Sequence, residues 1–315
     1  MLKLLPMINL KQVKRYSIKT RFSKVNKGDF AAAPKKGASF SSFFASLPNI
    51  LKAKDLRAVS SAIVNARKKK KEVILMAGAH VIKCGLNPVL IELLDKKIIT
   101  CVCLNGAGII HDFEIAYQGR TSEDVAANLK TGRFGMGKET ADFINLAAQS
   151  GVGDGFGLGY AVARKIAGST LKYKNLSLIY NAYQRKIPVC VFVGIGTDII
   201  HQHPSFDPAL TAQGSLRDFH ILVERIACLN RGGVVLNFGS AVLLPEVFLK
   251  ALNLCRNLGH PVRDFTTATF DMIYQYRAAQ NVVSRPTAGG GNGYYIIGHH
   301  EIMLPLLAQS IIGKI

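Results

Sequence analysis

Six of the eight histidines stand beside glycine-rich turns, and they bring acids and a lysine with them. His80 and Lys83 follow Gly78. His111, Asp112 and Glu114 follow Asn105-Gly106-Ala107-Gly108. Asp198, His201 and His203 follow Gly194-Ile195-Gly196. His299, His300 and Glu301 follow the glycine run 289–293. Imidazoles exchange protons near neutral pH, and carboxylates orient them or hold a cationic substrate. A lysine can contact phosphate or, once desolvated, form an imine. No H-x-x-x-H or H-E-x-x-H spacing occurs, so acid–base and orienting roles rank above ligation and no metal site is expected.

These residues need elements that bring them together. Val73–Ala77 is a short apolar run suited to a buried parallel strand, closed by the turn at Gly78. A helix follows through Ile91, Leu93 and Leu94, then a second strand over 98–104 and a second turn at Gly106–Gly108. Strand, glycine turn, helix, strand, glycine turn is the grammar of an α/β fold. It predicts a doubly wound, mostly parallel, Rossmann-like sheet. Pro188–Val193 and Gly233–Phe238 repeat the pattern and end at Gly194 and Gly239. Asn281–Val283 predicts a late strand. Helices are expected from an N-cap at Asp55, over 121–129 with Thr121 and Asp124 in capping-box spacing, and over 138–149, 215–230 and 245–258. Gly151, Gly153, Gly155, Gly157 and Gly159 predict a flexible loop. In such sheets ligands bind beyond the carboxyl ends of the strands. Gly78, His80, Asn105, Gly106, Gly108, Asp198 and Gly239 are therefore the expected cofactor positions, although no strict G-x-G-x-x-G follows the first strand.

The 315 residues carry a net charge of +20, unevenly placed. Residues 1–71 hold 18 of the 40 Lys and Arg against Asp29 and Asp55 alone; the rest of the chain holds 22 basic and 18 acidic groups. Residues 1–37 read as a basic arm, and 38–315 as a single α/β domain. Arg67–Lys71 suits the cationic last turn of a helix, and no aromatic residues interleave it. A nucleic-acid partner is therefore not expected. No apolar run reaches the roughly 18 residues that span a bilayer. The first ten residues are interrupted by Lys3, Pro6 and Asn9, against a secretory signal. The acid-free stretch through Arg21 keeps an organelle transit peptide as the minor alternative to a cytoplasmic place. Cys84, Cys101, Cys103, Cys190, Cys228 and Cys255 make no C-x-x-C pair and fit reduced, buried thiols.

Gly78-Ala-His-Val-Ile-Lys-Cys-Gly85 and Asn105-Gly-Ala-Gly-Ile-Ile-His-Asp112 resemble the cofactor turns of the deoxyhypusine synthase-like family. Ile187-Pro-Val189, with Asp198 as the matching acid, extends the resemblance. So do Gly233-Val-Val-Leu-Asn-Phe-Gly239 and the closing stretch from His300 to Leu307. The resemblance implies an NAD-binding enzyme that oxidises an amine or polyamine-type substrate to an imine, in transferase-like chemistry. It also implies a homotetramer with sites between subunits. The family's W-G-K lysine has no counterpart in Gly291-Asn-Gly-Tyr-Tyr-Ile296, which argues against deoxyhypusine formation itself. His111-Asp-Phe-Glu114 followed by Gly119-Arg-Thr-Ser122 is similar to the NAD-dependent ornithine cyclodeaminase domain, a lyase. On these resemblances His111, Asp112, Lys83 and His201 are the expected catalytic groups. Glu114, His299, His300 and Glu301 are expected at the substrate. A binder of NAD that has lost turnover is the remaining alternative.

Overall fold

Alternation along each strand decides the layering. In Val73–Ala77, Val73, Leu75 and Ala77 point into one apolar core, while Ile74 and Met76 point into another. A strand buried on both faces must carry apolar residues at every position. All five residues here are buried. The computed structural model describes residues 8–315; the first seven residues of the basic arm lie outside them.

Six strands form one parallel sheet: β1 Val73–Ala77, β2 Cys101–Asn105, β3 Val189–Phe192, β4 Val234–Phe238, β5 Phe265–Asp271 and β6 Gly291–Ile297. Their order is β3-β2-β1-β4-β5-β6. That is the order of a doubly wound dinucleotide-binding sheet, with its switch point between β1 and β4.

The helices, in chain order, are α1 Phe40–Ser46, α2 Leu51–Lys68, α3 Ala79–Lys83, α4 Asn87–Asp95, α5 Gly106–Gln118, α6 Val125–Leu129, α7 Lys138–Gly153, α8 Leu158–Ala167, α9 Leu178–Gln184, α10 Pro208–Ala227 and α11 Leu243–Asn257, before a C-terminal helix His300–Ile312. Side chains of α2, α4, α5 and the C-terminal helix fill the core on one sheet face. Those of α10 and α11, with Phe248 and Leu252 at the centre, fill the other.

Several expectations are corrected. Asn281–Val283 lies inside a π-helical turn, Ala279–Ser284, and the late strand is β6, formed by the glycine run itself. Gly291 and Gly293 press against the backbone oxygens of Phe265 and Val283, where a Cβ would sit 2.2 Å away in each case. The first long helix begins at Leu51 with Ile50 as N-cap, not at Asp55, which pairs with Lys52 at 2.8 Å. Thr121 caps nothing; Asp124 caps α6. The glycine series 151–159 is a helical hairpin rather than a loop. Gly151 belongs to α7 and Gly159 to α8, and a Cβ on Gly151 would meet that of Ala161 at 2.4 Å. The arm from Ile8 onward makes three short 3-10 turns and leaves Tyr16, Phe22 and Phe30 exposed.

Candidate functional site

The turn after β2 builds the first half of the site. Asn105 accepts from the amide of Gly108 at 3.0 Å and starts α5. Helical spacing then places His111 and Glu114, three apart, on one face. Thr121 ties them together: its hydroxyl donates to Glu114 Oε2 at 2.5 Å and lies 2.7 Å from His111 Nδ1. A hydroxyl has one proton, so with that proton on Glu114 it accepts from Nδ1–H. In the neutral ring this leaves His111 Nε2 as the free base. Thr140 gives Glu114 a further bond at 3.3 Å. Burial pushes the Glu114 carboxyl up, but nearby His111, its Nδ1 3.8 Å away, and the hydrogen bond from Thr121 outweigh it and the net shift is downward. Glu114 is therefore a fixed negative charge.

The turn after β3 supplies the second half. The carboxylate of Asp198 lies over the first residue of α5, and only a glycine leaves it room: a Cβ on Gly106 would sit 2.0 Å from Asp198 Oδ2. The amide of Ala107 donates to this carboxylate, yet burial pushes its pKa up to about 6. His201 stands behind it. Its Nδ1 accepts from the amides of Gly196 at 3.1 Å and Asp198 at 3.3 Å, so Nε2 carries the hydrogen. That Nε2 is 4.0 Å from Asp198 Oδ2. Neither atom has a hydrogen-bond partner among the described residues. Burial lowers the His201 pKa, which keeps the ring neutral.

These two halves enclose a cavity of 260 Å³ lined by Lys83, His111, Glu114, Glu123, Phe134 and Asp198, among others. It therefore joins four of the residues singled out by the sequence. It also includes Glu123, which accepts from the amide of Gly135 at 2.9 Å. Thr121, Thr140 and Glu123 were not legible as site residues, because hydroxyls and single acids outside a glycine turn give no pattern.

Asp112 is corrected. It is fully buried on the opposite side of α5 and accepts from Asn87 at 2.8 Å, Ser177 at 2.5 Å and the amide of Leu178 at 2.7 Å. It holds the start of α9 and does not reach the cavity. Gly108 is likewise spent on packing, against Leu104. The start of α5, expected to receive phosphate, is filled by the side chains of Asn105 and Asp198.

A second cluster lies at the β1/β4 switch point. The turns after these strands touch: Gly78 N donates to Phe238 O at 2.8 Å, and a Cβ on Gly78 would lie 2.2 Å from the oxygen of Gly239. Gly239 is left-handed, φ +66°, and a Cβ there would meet His300 Nε2 at 2.5 Å. His300 is buried between Phe238 and His80, with ring centroids 6.2 Å and 5.9 Å away. Its Nδ1 has no partner among the described residues. Burial lowers its pKa, against the pull of Asp271. His80, His299 and Glu301 are exposed beside it, the last two 3.9 Å apart. Asp271, at the end of β5, was missed with its strand.

No protein-family model and no curated protein matches the chain. Solved structures do resemble it. Unliganded AgrE superposes with a TM-score of 0.53 at 14% identity, over 83% of this chain and 33% of that one. ArgZ, a cyanobacterial arginine dihydrolase, gives 0.52 at 14% identity over 85% and 34%. An Entamoeba histolytica protein provisionally described as a deoxyhypusine synthase gives 0.50 at 12% identity, over 88% and 94%. The chain thus spans about a third of the length of ArgZ and AgrE. These likenesses establish one thing. The chain has the fold of both groups that its motifs resemble. None of its described helices is long and apolar enough to cross a membrane.

Proposed function

We propose that this chain is an NAD-dependent enzyme that oxidises a cationic amine to an imine. The observation that carries the reading is the cavity at the ends of β2 and β3. There a fixed carboxylate, a free imidazole nitrogen and a carboxyl with a pKa of about 6 converge beside the switch point of a dinucleotide-type sheet. NAD supplies the hydride acceptor. Its phosphates would lie at the turns after β1 and β4, where α3 begins at Gly78 with no side-chain cap. Gly78, His80, Gly239 and His300 would hold it there.

Glu114 and Asp198 would hold the amine. His111 Nε2 would take the proton that the amine nitrogen must lose as the C–N bond becomes double. Thr121 fixes the tautomer that makes this possible. His201 would face the Asp198 carboxylate with its Nε2–H, 4.0 Å away. Lys83 would meet a substrate carboxylate, or the phosphates. His299 and Glu301 would act at the rim.

AgrE was crystallised with ornithine and NAD+. That favours an ornithine-type amino acid, and with it a lyase of the cyclodeaminase kind, over a polyamine. A homotetramer belongs to the same reading. It is supported by the exposed Met272, Ile273, Tyr274, Tyr276, Ile297 and Ile302, which fringe the ends of β5 and β6 and need cover. Residues 38–315 would then act as one domain in the cytoplasm, with the basic arm outside it.

The test is NADH formation from NAD+ on addition of ornithine, arginine, lysine or spermidine, with products identified by mass spectrometry. Turnover of at least one, lost in His111→Gln, is expected. Inertness of the folded protein toward all four would leave a non-catalytic NAD binder.

A further inference from the structure

On the opposite face of the sheet from α5 and the cavity's floor, parallel pairing assembles something the sequence spacing hides. Cys101 and Cys103 are two apart on β2 and so face the same way. Cys190 on β3 is the register partner of Cys103. All three side chains are fully buried, under Leu222 and Ile226 of α10. Their sulfurs lie within 4.8 Å of one another. Metal–sulfur bonds of about 2.3 Å place sulfurs about 4 Å apart, so small side-chain rotations would close the triad on one ion.

Isolated buried cysteines behave as small apolar residues. Here three thiols, from two strands, stack together beneath the apolar side chains of α10. The charged groups facing the triad are Asp218 of α10 and Arg225. Asp218 is engaged elsewhere, accepting from the amides of Gly159 and Val191 at 2.8 Å, and burial pushes its pKa up to about 8. Arg225 is paired with Glu72.

We propose that Cys101, Cys103 and Cys190 form a binding site for a trivalent, thiophilic ion of the arsenite type. Two properties select this class. Among the described residues, no fourth His, Cys, Asp or Glu donor joins the group, whereas zinc in a closed site wants four. The surroundings are dry and apolar, so the loaded site must be near neutral. Three thiols and As(OH)3 exchange three S–H and three As–OH bonds for three As–S bonds and three waters. Arsenic stays trivalent, each thiol proton leaves on a hydroxide, and no charge is left behind. Divalent zinc with three thiolates would leave one net negative charge. Monovalent copper reaches neutrality only by keeping two thiols protonated as weak ligands.

The experiment uses the full chain, reduced and kept free of oxygen, with one equivalent of arsenite, Cu(I) or Zn(II) added to the native protein and, separately, during refolding. Binding is read by native mass spectrometry, and the sulfur count by X-ray absorption at the bound element. The expected result is one arsenic per chain with three sulfur neighbours and a raised melting temperature. Cys103→Ala should lose this binding while keeping the parent's circular dichroism, and Cys190→Val should do the same. Cys84→Ser and Cys228→Ser, outside the triad, should bind like the parent. The proposal is overturned by no arsenic uptake under either condition, by two sulfurs or fewer, by uptake surviving in Cys103→Ala, or by tighter binding of zinc or copper than of arsenite.

Discussion

The two clusters at the carboxyl edge of the sheet differ in how they spend their polar atoms. At the ends of β2 and β3, His111, Thr121, Glu114 and Thr140 form a chain of hydrogen bonds, and Asp198 accepts from the amide of Ala107 in α5. At the ends of β1, β4 and β5, His80 is exposed and the buried His300 Nδ1 has no partner among the described residues. A buried polar atom without a partner is costly, so a ligand that supplies one is favoured. The first cluster also leaves Asp198 Oδ2 and His201 Nε2 without partners among the described residues, so each cluster offers a ligand buried polar atoms, and the first adds a bonded histidine with one free nitrogen. Asp112, on the far side of α5, has its oxygens satisfied by Asn87, Ser177 and the start of α9.

The largest expected effect separates Asp112 from its neighbour. Asp112→Ala would orphan the side chains of Asn87 and Ser177 and two backbone amides at the start of α9. It should cost about 3–5 kcal/mol of stability, read by urea unfolding. A stable Asp112→Ala protein with reduced turnover would return that residue to the site. His111→Gln should do the reverse: unfolding within about 1 kcal/mol of the parent, but turnover lowered roughly 10²–10⁴-fold if the ring is the base. Retained turnover would remove it from the chemistry.

Asp198 gives the next effect, and its sign is a gain. Its folded pKa, about 6, stands above the ordinary 3.8. The folded protein therefore holds this proton more tightly. The associated stability is present below pH 3.8 and lost as pH rises through 6. The loss amounts to roughly 3 kcal/mol at most. Asp198→Asn should therefore be more stable than the parent at pH 7–8 and no more stable near pH 4, while losing activity. An unchanged difference between the two proteins across that range would mean that Asp198 is not buried as a charge. Smallest of all is the arm. Removing residues 1–36 should change unfolding by about 1 kcal/mol or less, since its apolar side chains from Ile8 to Phe30 are mostly exposed. An insoluble product would show that the arm belongs to the domain.

Much of this was readable. The strands at 73–77, 101–105, 189–192 and 234–238 are runs of apolar residues ending in glycine, and that grammar gives the parallel sheet directly. β5 was not seen because Phe265-Thr-Thr-Ala-Thr-Phe-Asp271 mixes threonine into a buried strand, and β6 because glycines look like a loop. Glycine signals were ambiguous for one physical reason. At Gly106, Gly78 and Gly151 the missing Cβ makes room for the protein's own atoms rather than a ligand's. The run His111-Asp-Phe-Glu114 read as one unit. A helix turns about 100° per residue, so His111 and Glu114 share a face and Asp112 leaves it.

On the proposed reading, NAD binds at the turns after β1 and β4, beside the unpartnered His300 Nδ1. Isothermal titration calorimetry of the full chain with NAD+, repeated on His300→Ala and on His111→Gln, tests it most directly. One site per chain is expected, with micromolar to sub-millimolar affinity, weakened in His300→Ala and preserved in His111→Gln. Absence of binding to the folded parent at millimolar NAD+ would contradict it, as would binding that depends on His111 and is indifferent to His300.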